Sequence, residues 1–265
     1  MGTRRRLAAL ALPLFAAVAL VAAARAEVIQ SGDLRVSFLA RFAPRSLPRE
    51  RPAPITVEVG GKISTTDGSH PPPLRRLRIE LNGAGRIDAA GLPTCGSSLL
   101  QSTDSAAALA RCGPAKVGDG SFEAQLRFGG RPLVVDGRAL VFNATVDGRP
   151  GMLIHIYIGE PAQVTLVVPL RVARRSGEFG TVLTARVPPL VGGLGSVTEL
   201  RLRIGRRFEV RGARRSYLSA ACAAPAGFPG AVFAFARGTF AFEGGRTLHT
   251  TLTRSCQVRK PAGSG

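Results

Sequence analysis

The chain has 265 residues, with 36 lysines and arginines against 17 acidic residues and a formal net charge of +19. An excess of that size favours anionic partners such as nucleic acid, teichoic-type polymer or acidic lipid. There is no tryptophan, there are only two tyrosines, and most of the 13 phenylalanines alternate as core residues, which argues against a lectin-like role that stacks sugars on exposed aromatics.

Chain order begins with a leader. Arg4-Arg5-Arg6 precede an apolar run from Leu7 to Ala24, and Ala24-Arg25-Ala26 supplies the small-x-small pattern of signal peptidase. Residues 1–26 therefore read as a cleavable signal peptide and 27–265 as the exported domain. The run approaches the roughly 20 residues a bilayer span needs, but it is alanine-rich and broken by Pro13. Thr3-Arg4-Arg5-Arg6-Leu7 also resembles a twin-arginine signal, so both export routes stay open. Cleavage would take the charge from +19 to +15, since the leader holds four arginines and no acid. Lys62, Lys116 and Lys260 are the only lysines, so the charge is nearly all arginine, as G+C-rich codon usage also produces.

Beyond Glu27 the apolar period is two. Leu34, Val36, Phe38, Ala40 and Phe42 alternate with polar residues, and Ile55, Val57, Val59 and Ile63 follow after a Pro/Arg-rich connection, with Gly60-Gly61 as an expected bulge. Residues 65–73 must be a loop, because their prolines cannot donate to a ladder. Leu77, Ile79 and Leu81 should face inward and Arg76, Arg78 and Glu80 outward. Between Cys95 and Cys112, an alanine-rich stretch behind Ser102-Thr103-Asp104 predicts one short helix. Strands resume at Phe122–Phe128. Leu140–Val146 and Met152–Ile158 form a hairpin through Asp147-Gly148, and Val232–Phe242 and Thr247–Cys256 form another through Gly244-Gly245. A slip in the phenylalanine parity puts a bulge near Arg237-Gly238. Roughly twelve short strands point to an all-β, antiparallel sandwich or jelly-roll-like fold. A faint likeness between Leu74–Leu81 and Thr198–Ile204 divides the domain into two candidate β units, about 27–160 and 161–265.

Cys95, Cys112, Cys222 and Cys256 permit three pairings. Local loop closure favours Cys95–Cys112 and Cys222–Cys256, worth roughly 3 and roughly 4 kcal/mol in the chain-entropy model. No pair has Cys-x-x-Cys spacing, and neither a metal nor a cofactor is expected. The chemistry-bearing candidates are few. His70, in Asp67-Gly-Ser-His70, lies on a polar loop, and His155 has outward parity on its strand. His249 alternates with Leu248 and Leu252 and should face outward. Asp67, His70 and His155 are the weak catalytic candidates, with no nucleophile elbow to accompany them. No acidic run has calcium-loop spacing, and Gly192-Gly-Leu-Gly195 lacks the helix and lysine of a phosphate loop. Arg76, Arg78, Arg201 and Arg203, outward on two strands, are the candidates for binding a polyanion.

Several segments carry a family resemblance: Lys62-Ile-Ser-Thr-Thr-Asp-Gly-Ser-His-Pro-Pro72, Gly91-Leu-Pro-Thr-Cys95 and Cys112-Gly-Pro-Ala-Lys-Val-Gly-Asp-Gly120, together with Tyr217-Leu-Ser-Ala-Ala-Cys222, Gly227-Phe-Pro-Gly-Ala-Val-Phe233 and Leu252-Thr-Arg-Ser-Cys256. They resemble segments of a group of secreted all-β proteins of high-G+C Gram-positive bacteria, a group without an assigned activity. The resemblance implies export, paired cysteines and an all-β fold, and it transfers no catalytic residue. The leading expectation is a non-enzymatic protein of the cell envelope or extracellular space, structural or binding. Its alternatives are a hydrolase with a loop-assembled site near His70 and an arginine-rich protein that binds an anionic envelope polymer.

Overall fold

Period-two alternation becomes a sheet with one dry face, and here almost every long strand joins the same sheet. The computed structural model describes residues 26–128, 131–160 and 163–259. Apart from Ala26, the predicted leader lies outside them. Eighteen strands occur among the described residues. In chain order they begin with β1 (Glu27–Ser31), β2 (Leu34–Ala43), β3 (Ser46–Leu47), β4 (Ala53–Pro54), β5 (Thr56–Thr65), β6 (Leu74–Leu81) and β7 (Gly85–Ile87). Helix α1 (Ser105–Cys112) is followed by β8 (Lys116–Phe128), β9 (Arg131–Val146), β10 (Arg149–Ile158), β11 (Val164–Arg174) and β12 (Thr181–Arg186). The chain continues with β13 (Gly195–Ile204), β14 (Arg207–Val210), β15 (Ala213–Ser216), β16 (Leu218–Ala220), β17 (Gly230–Phe242) and β18 (Thr247–Val258).

Thirteen strands form one sheet in the order β1-β2-β5-β13-β8-β9-β10-β11-β12-β6-β17-β18-β3. All its pairings are antiparallel except β18 with β3. The all-β expectation holds, and its two layers are halves of one curled sheet. The stretches 27–160 and 161–265 share it, with β13 between β5 and β8 and β6 between β12 and β17.

The curl brings the sheet's two edges face to face. Phe38 of β2 meets Phe240 of β17 edge-on at 5.6 Å between ring centroids, and Phe42 lies 5.2 Å from Phe235 and 6.1 Å from Phe233. Beyond these rings β1 runs beside β18, with Cα atoms within 8 Å but no shared ladder among the described residues. Polar side chains bridge this seam instead. Arg254 Nε donates to the Ala40 carbonyl at 2.8 Å, and Arg246 pairs with Asp33.

Local sequence chemistry shapes the strands. The β9–β10 hairpin turns on Asp147 and Gly148 at φ 48° and 72°, the mirror-image turn that matches strand twist. The β17–β18 connection turns on Gly244 and Gly245, also at positive φ. Two expected bulges differ from what forms. The β17 irregularity lies between Ala234 and Ala236, leaving Phe235 without a partner on β18, so it precedes Arg237-Gly238. That position lets Phe233 and Phe235 both reach Phe42. At Gly60-Gly61 the register continues unbroken to both neighbours. Gly60 serves close approach instead, since a Cβ there would come 2.9 Å from the Leu200 carbonyl oxygen.

Both disulfides form, Cys95–Cys112 with Cα atoms 5.5 Å apart and Cys222–Cys256 with 5.7 Å. Paired cysteines fit an oxidising, extracytoplasmic compartment. No described helix is long and apolar enough to cross a membrane. Helix α1 is the predicted one, capped by Asp104 Oδ1 accepting from Ala107 N at 2.7 Å. Its Ala108 and Cys112 cover Leu140, Phe142 and Leu153 on the outer face of β9 and β10, forming a second small core.

The ends of the curled sheet are closed differently. The loop at residues 66–73 joins strands seven places apart, so it crosses one end, where Ser196 Oγ donates to the Pro71 carbonyl at 2.6 Å. At the other end lies the small sheet β4-β16-β7. Two apolar hollows remain between these closures, of about 100 and about 50 Å³.

Cys256→Ser in the oxidised protein should lower stability by about 4 kcal/mol, the chain-entropy value for a loop of this size. Denaturant melts of wild type and variant should differ without reductant and converge with it. Equal melts in the oxidised state would mean that the bridge contributes nothing.

Candidate functional site

Each candidate histidine is held by a neighbour that explains its place. On the 66–73 loop, Asp67 Oδ1 accepts from the Ser69 N–H at 3.0 Å, and Thr65 Oγ1 donates to the Ser69 carbonyl. The Ser69 amide, with smaller help from hydroxyls, holds the Asp67 carboxyl below its usual range. His70 Nε2 lies 3.0 Å from the Gln125 carbonyl oxygen, so its N–H fastens the loop to β8. These contacts are those of a loop anchored over an apolar interior: the hydroxyls that meet Asp67 are those of its loop neighbours Ser69 and Thr65, and among the described residues His70 bonds no hydroxyl, thiol or carboxylate.

His155 does have outward parity, but the segment between the first two cysteines covers it and leaves it 0% exposed. Its Nε2 is 3.0 Å from the Thr103 carbonyl oxygen and 3.1 Å from Thr103 Oγ1, which itself donates to Leu100 O. Nε2 therefore carries the proton, and Nδ1 is buried without a partner. Burial pulls its pKa down, against a smaller upward effect from the Thr103 carbonyl and Asp104. Parity could not reveal the cover, because the segment carrying Thr103 comes from elsewhere in the chain. His249 is exposed as expected, with Nδ1 3.2 Å from Thr239 Oγ1 on the facing strand. Among the described residues no three His, Cys, Asp or Glu side chains gather as a metal site would require.

The four candidate arginines separate onto opposite walls, since β13 and β6 stand six places apart in a sheet that curls back on itself. On the β13 wall, the register gives rows Arg41–Glu58–Arg203–Asp119, Leu39–Gly60–Arg201–Ser121 and Ser37–Lys62–Glu199–Glu123 across β2, β5, β13 and β8. Four cations there meet four carboxylates. Arg41 pairs with Glu58 and Arg201 with Glu199. This wall is balanced in charge, although Arg203 and Lys62 make no ion pair among the described residues and Asp119 pairs with Lys116.

The β6 wall differs. Its rows are Arg186–Arg76–Ala241, Arg171–Thr184–Arg78–Thr239–His249 and Ala173–Val182–Glu80–Arg237–Thr251 across β11, β12, β6, β17 and β18. Five arginines share these rows with Glu80 alone. Arg78 bonds Glu80 at 2.8 Å, which lowers the carboxyl's pKa, and Arg237 stacks 4.4 Å above the Phe179 ring. Arg171 pairs with Asp147 at the rim. Arg76 and Arg186 sit directly opposite each other, both exposed, and neither makes a hydrogen bond or ion pair among the described residues. Facing like charges in neighbouring strands destabilise a sheet. Sequence reasoning found Arg76 and Arg78 but missed Arg171, Arg186 and Arg237, whose strands join β6 only through the sheet order.

No family model, no curated protein and no solved structure matches the chain. The fold and this surface therefore define the molecule's class: a disulfide-stapled, curled all-β protein with one charge-balanced and one arginine-rich wall.

The buried His155 predicts an acid-sensitive fold. The unfolded chain protonates this residue near 6.5, whereas the folded chain takes the proton only at lower pH, so stability falls as pH drops through that window. His155→Gln should therefore lose less stability than wild type between pH 7.5 and pH 5 in chemical denaturation. Parallel losses would remove His155 as the source.

Proposed function

We propose that the protein is a non-enzymatic, extracytoplasmic binding module that holds an anionic polymer of the cell envelope against its arginine-rich wall. The observation that carries this reading is the facing pair Arg76 and Arg186, unneutralised on a wall where five arginines meet two carboxylates, Glu80 paired with Arg78 and Arg237, and Asp147 paired with Arg171. The repulsion between them is relieved when an anion lies between their guanidinium groups, which bind phosphate or carboxylate oxygens in two-toothed fashion. Arg78, Arg171 and Arg237 extend the positive field across neighbouring strands spaced about 4.8 Å apart. Thr184 and Thr239 place hydroxyls between the cations. A chain bearing an anion at each repeat fits such a grid better than a single small anion. Export in the manner of the secreted bacterial family would bring the protein to that polymer.

The alternative of a hydrolase near His70 has less support, since Nε2 is engaged with the Gln125 carbonyl and no hydroxyl, thiol or carboxylate bonds the ring among the described residues. A general base must reach the proton it removes.

Retention on a polyphosphate matrix should fall steeply with salt, as counterion release requires. Replacing Arg76 and Arg186 together with Ser should lower the slope of log affinity against log salt by about 1.4, at about 0.7 per contact to a single-stranded polyanion. The matching Arg201→Ser, Arg203→Ser protein should keep most of its retention. Equal losses in the two double variants would reduce the interaction to net charge and sink this assignment.

A further inference from the structure

The larger interior hollow is unlike the rest of the core. It measures about 100 Å³, and side chains from both walls line it, among them Phe38, Leu77, Met152, Leu183, Leu200 and Phe240. Every side chain around it is apolar, and two glycines, Gly60 and Gly61, complete the lining. Val59, Leu77, Val197 and Leu200 point inward with apolar parity, yet they stay only partly buried where their strand neighbours Ile79 and Leu202 are 7% and 6% exposed. Gly61 widens the space by having no side chain, and a Cβ there would meet nothing closer than the Ser37 carbonyl at 3.4 Å.

Water suits this space badly. A buried water takes roughly two to four hydrogen bonds, and an apolar cavity on the order of 150 Å³ in another protein stays dry while accepting benzene or xenon. The backbone groups around the hollow are engaged in the sheet ladders on both sides. Its ends are shut by proline-rich chain on one side and the small sheet on the other. A neighbouring stretch of wall is held without a ladder: the seam between β1 and β18, behind which Phe38 and Phe240 line both the seam and the hollow.

We infer that this hollow is a binding site for a compact, uncharged apolar molecule of about the size of a single aromatic ring. The guest would fill contacts that the lining side chains now lack, and any hydroxyl it carried would be left without a partner. This site is independent of the arginine-rich wall, which lies on the outer face of β6 and β12 while the hollow lies on their inner face.

The test uses the oxidised, full-length mature protein with toluene as probe, followed by methyl NMR and thermal melting. Toluene should perturb the methyl signals of Met152, Leu183 and Leu200 in a saturable way, leave the exposed Leu133 and Val134 unmoved, and raise the melting temperature. Phenol should bind at least 10-fold more weakly. Leu200→Phe and Leu77→Phe each fill the space, and each should weaken toluene at least 10-fold. Two filled variants make the result independent of whether either one folds, and xenon uptake by the wild type, read from the same methyl signals, needs no variant. Toluene and xenon that leave the lining methyls unchanged, or filled variants that bind as wild type does, would overturn the site and leave only a packing void. Retention on polyphosphate should be unaffected by toluene, so failure here and failure of the polymer reading are separate results.

Discussion

The packing of Phe38 and Phe42 against Phe240 and Phe235 is the contact on which the remaining structure depends. Thirteen strands in one open sheet would expose a dry face along its whole length. The sheet escapes this by curling until its first long strand meets its second-last, and aromatic rings close the gap that hydrogen bonds do not. Each such ring contact adds roughly 0.5–1.5 kcal/mol beyond the area it buries. The cysteine bridge from Cys222 to Cys256 fastens the end of β18 close to this junction, and the salt link from Arg246 to Asp33 fastens its start.

Closure by side chains rather than by a ladder has a second consequence. A sheet closed by hydrogen bonds has its shear and diameter tied together. Here the walls can stand at whatever separation the rings allow, and side chains do not fill the middle completely. The interior hollow is the space left between walls whose spacing is set at the seam and at the two end closures.

The outer surface follows a different rule. Outward positions alternate with inward ones and are free of packing demands, so charge can be distributed there without loss of core. One wall uses that freedom to set as many carboxylates as cations, four of each, across its three rows. The other sets Arg76 against Arg186 and surrounds them with arginines. The asymmetry is invisible in net charge, which is the same whether arginines are balanced locally or gathered.

Alternation, turn residues and cysteine spacing were enough to establish from the sequence alone that this is an all-β chain with one short helix and two local disulfides. Those features are written within a few residues of one another, because period, turn chemistry and loop closure are local. Alternation alone was also enough to assign outward parity to Arg76, Arg78, His155 and His249. Tertiary structure alone decided which strands neighbour which. Strand order placed Arg186 beside Arg76, parted Arg201 and Arg203 from them by half the sheet, and set Gln125 within reach of His70. It also laid Thr103, just ahead of α1, against His155, turning an outward residue into a buried one. Pairings between distant strands depend on the summed packing of the whole sheet, and no local pattern in the chain encodes that sum.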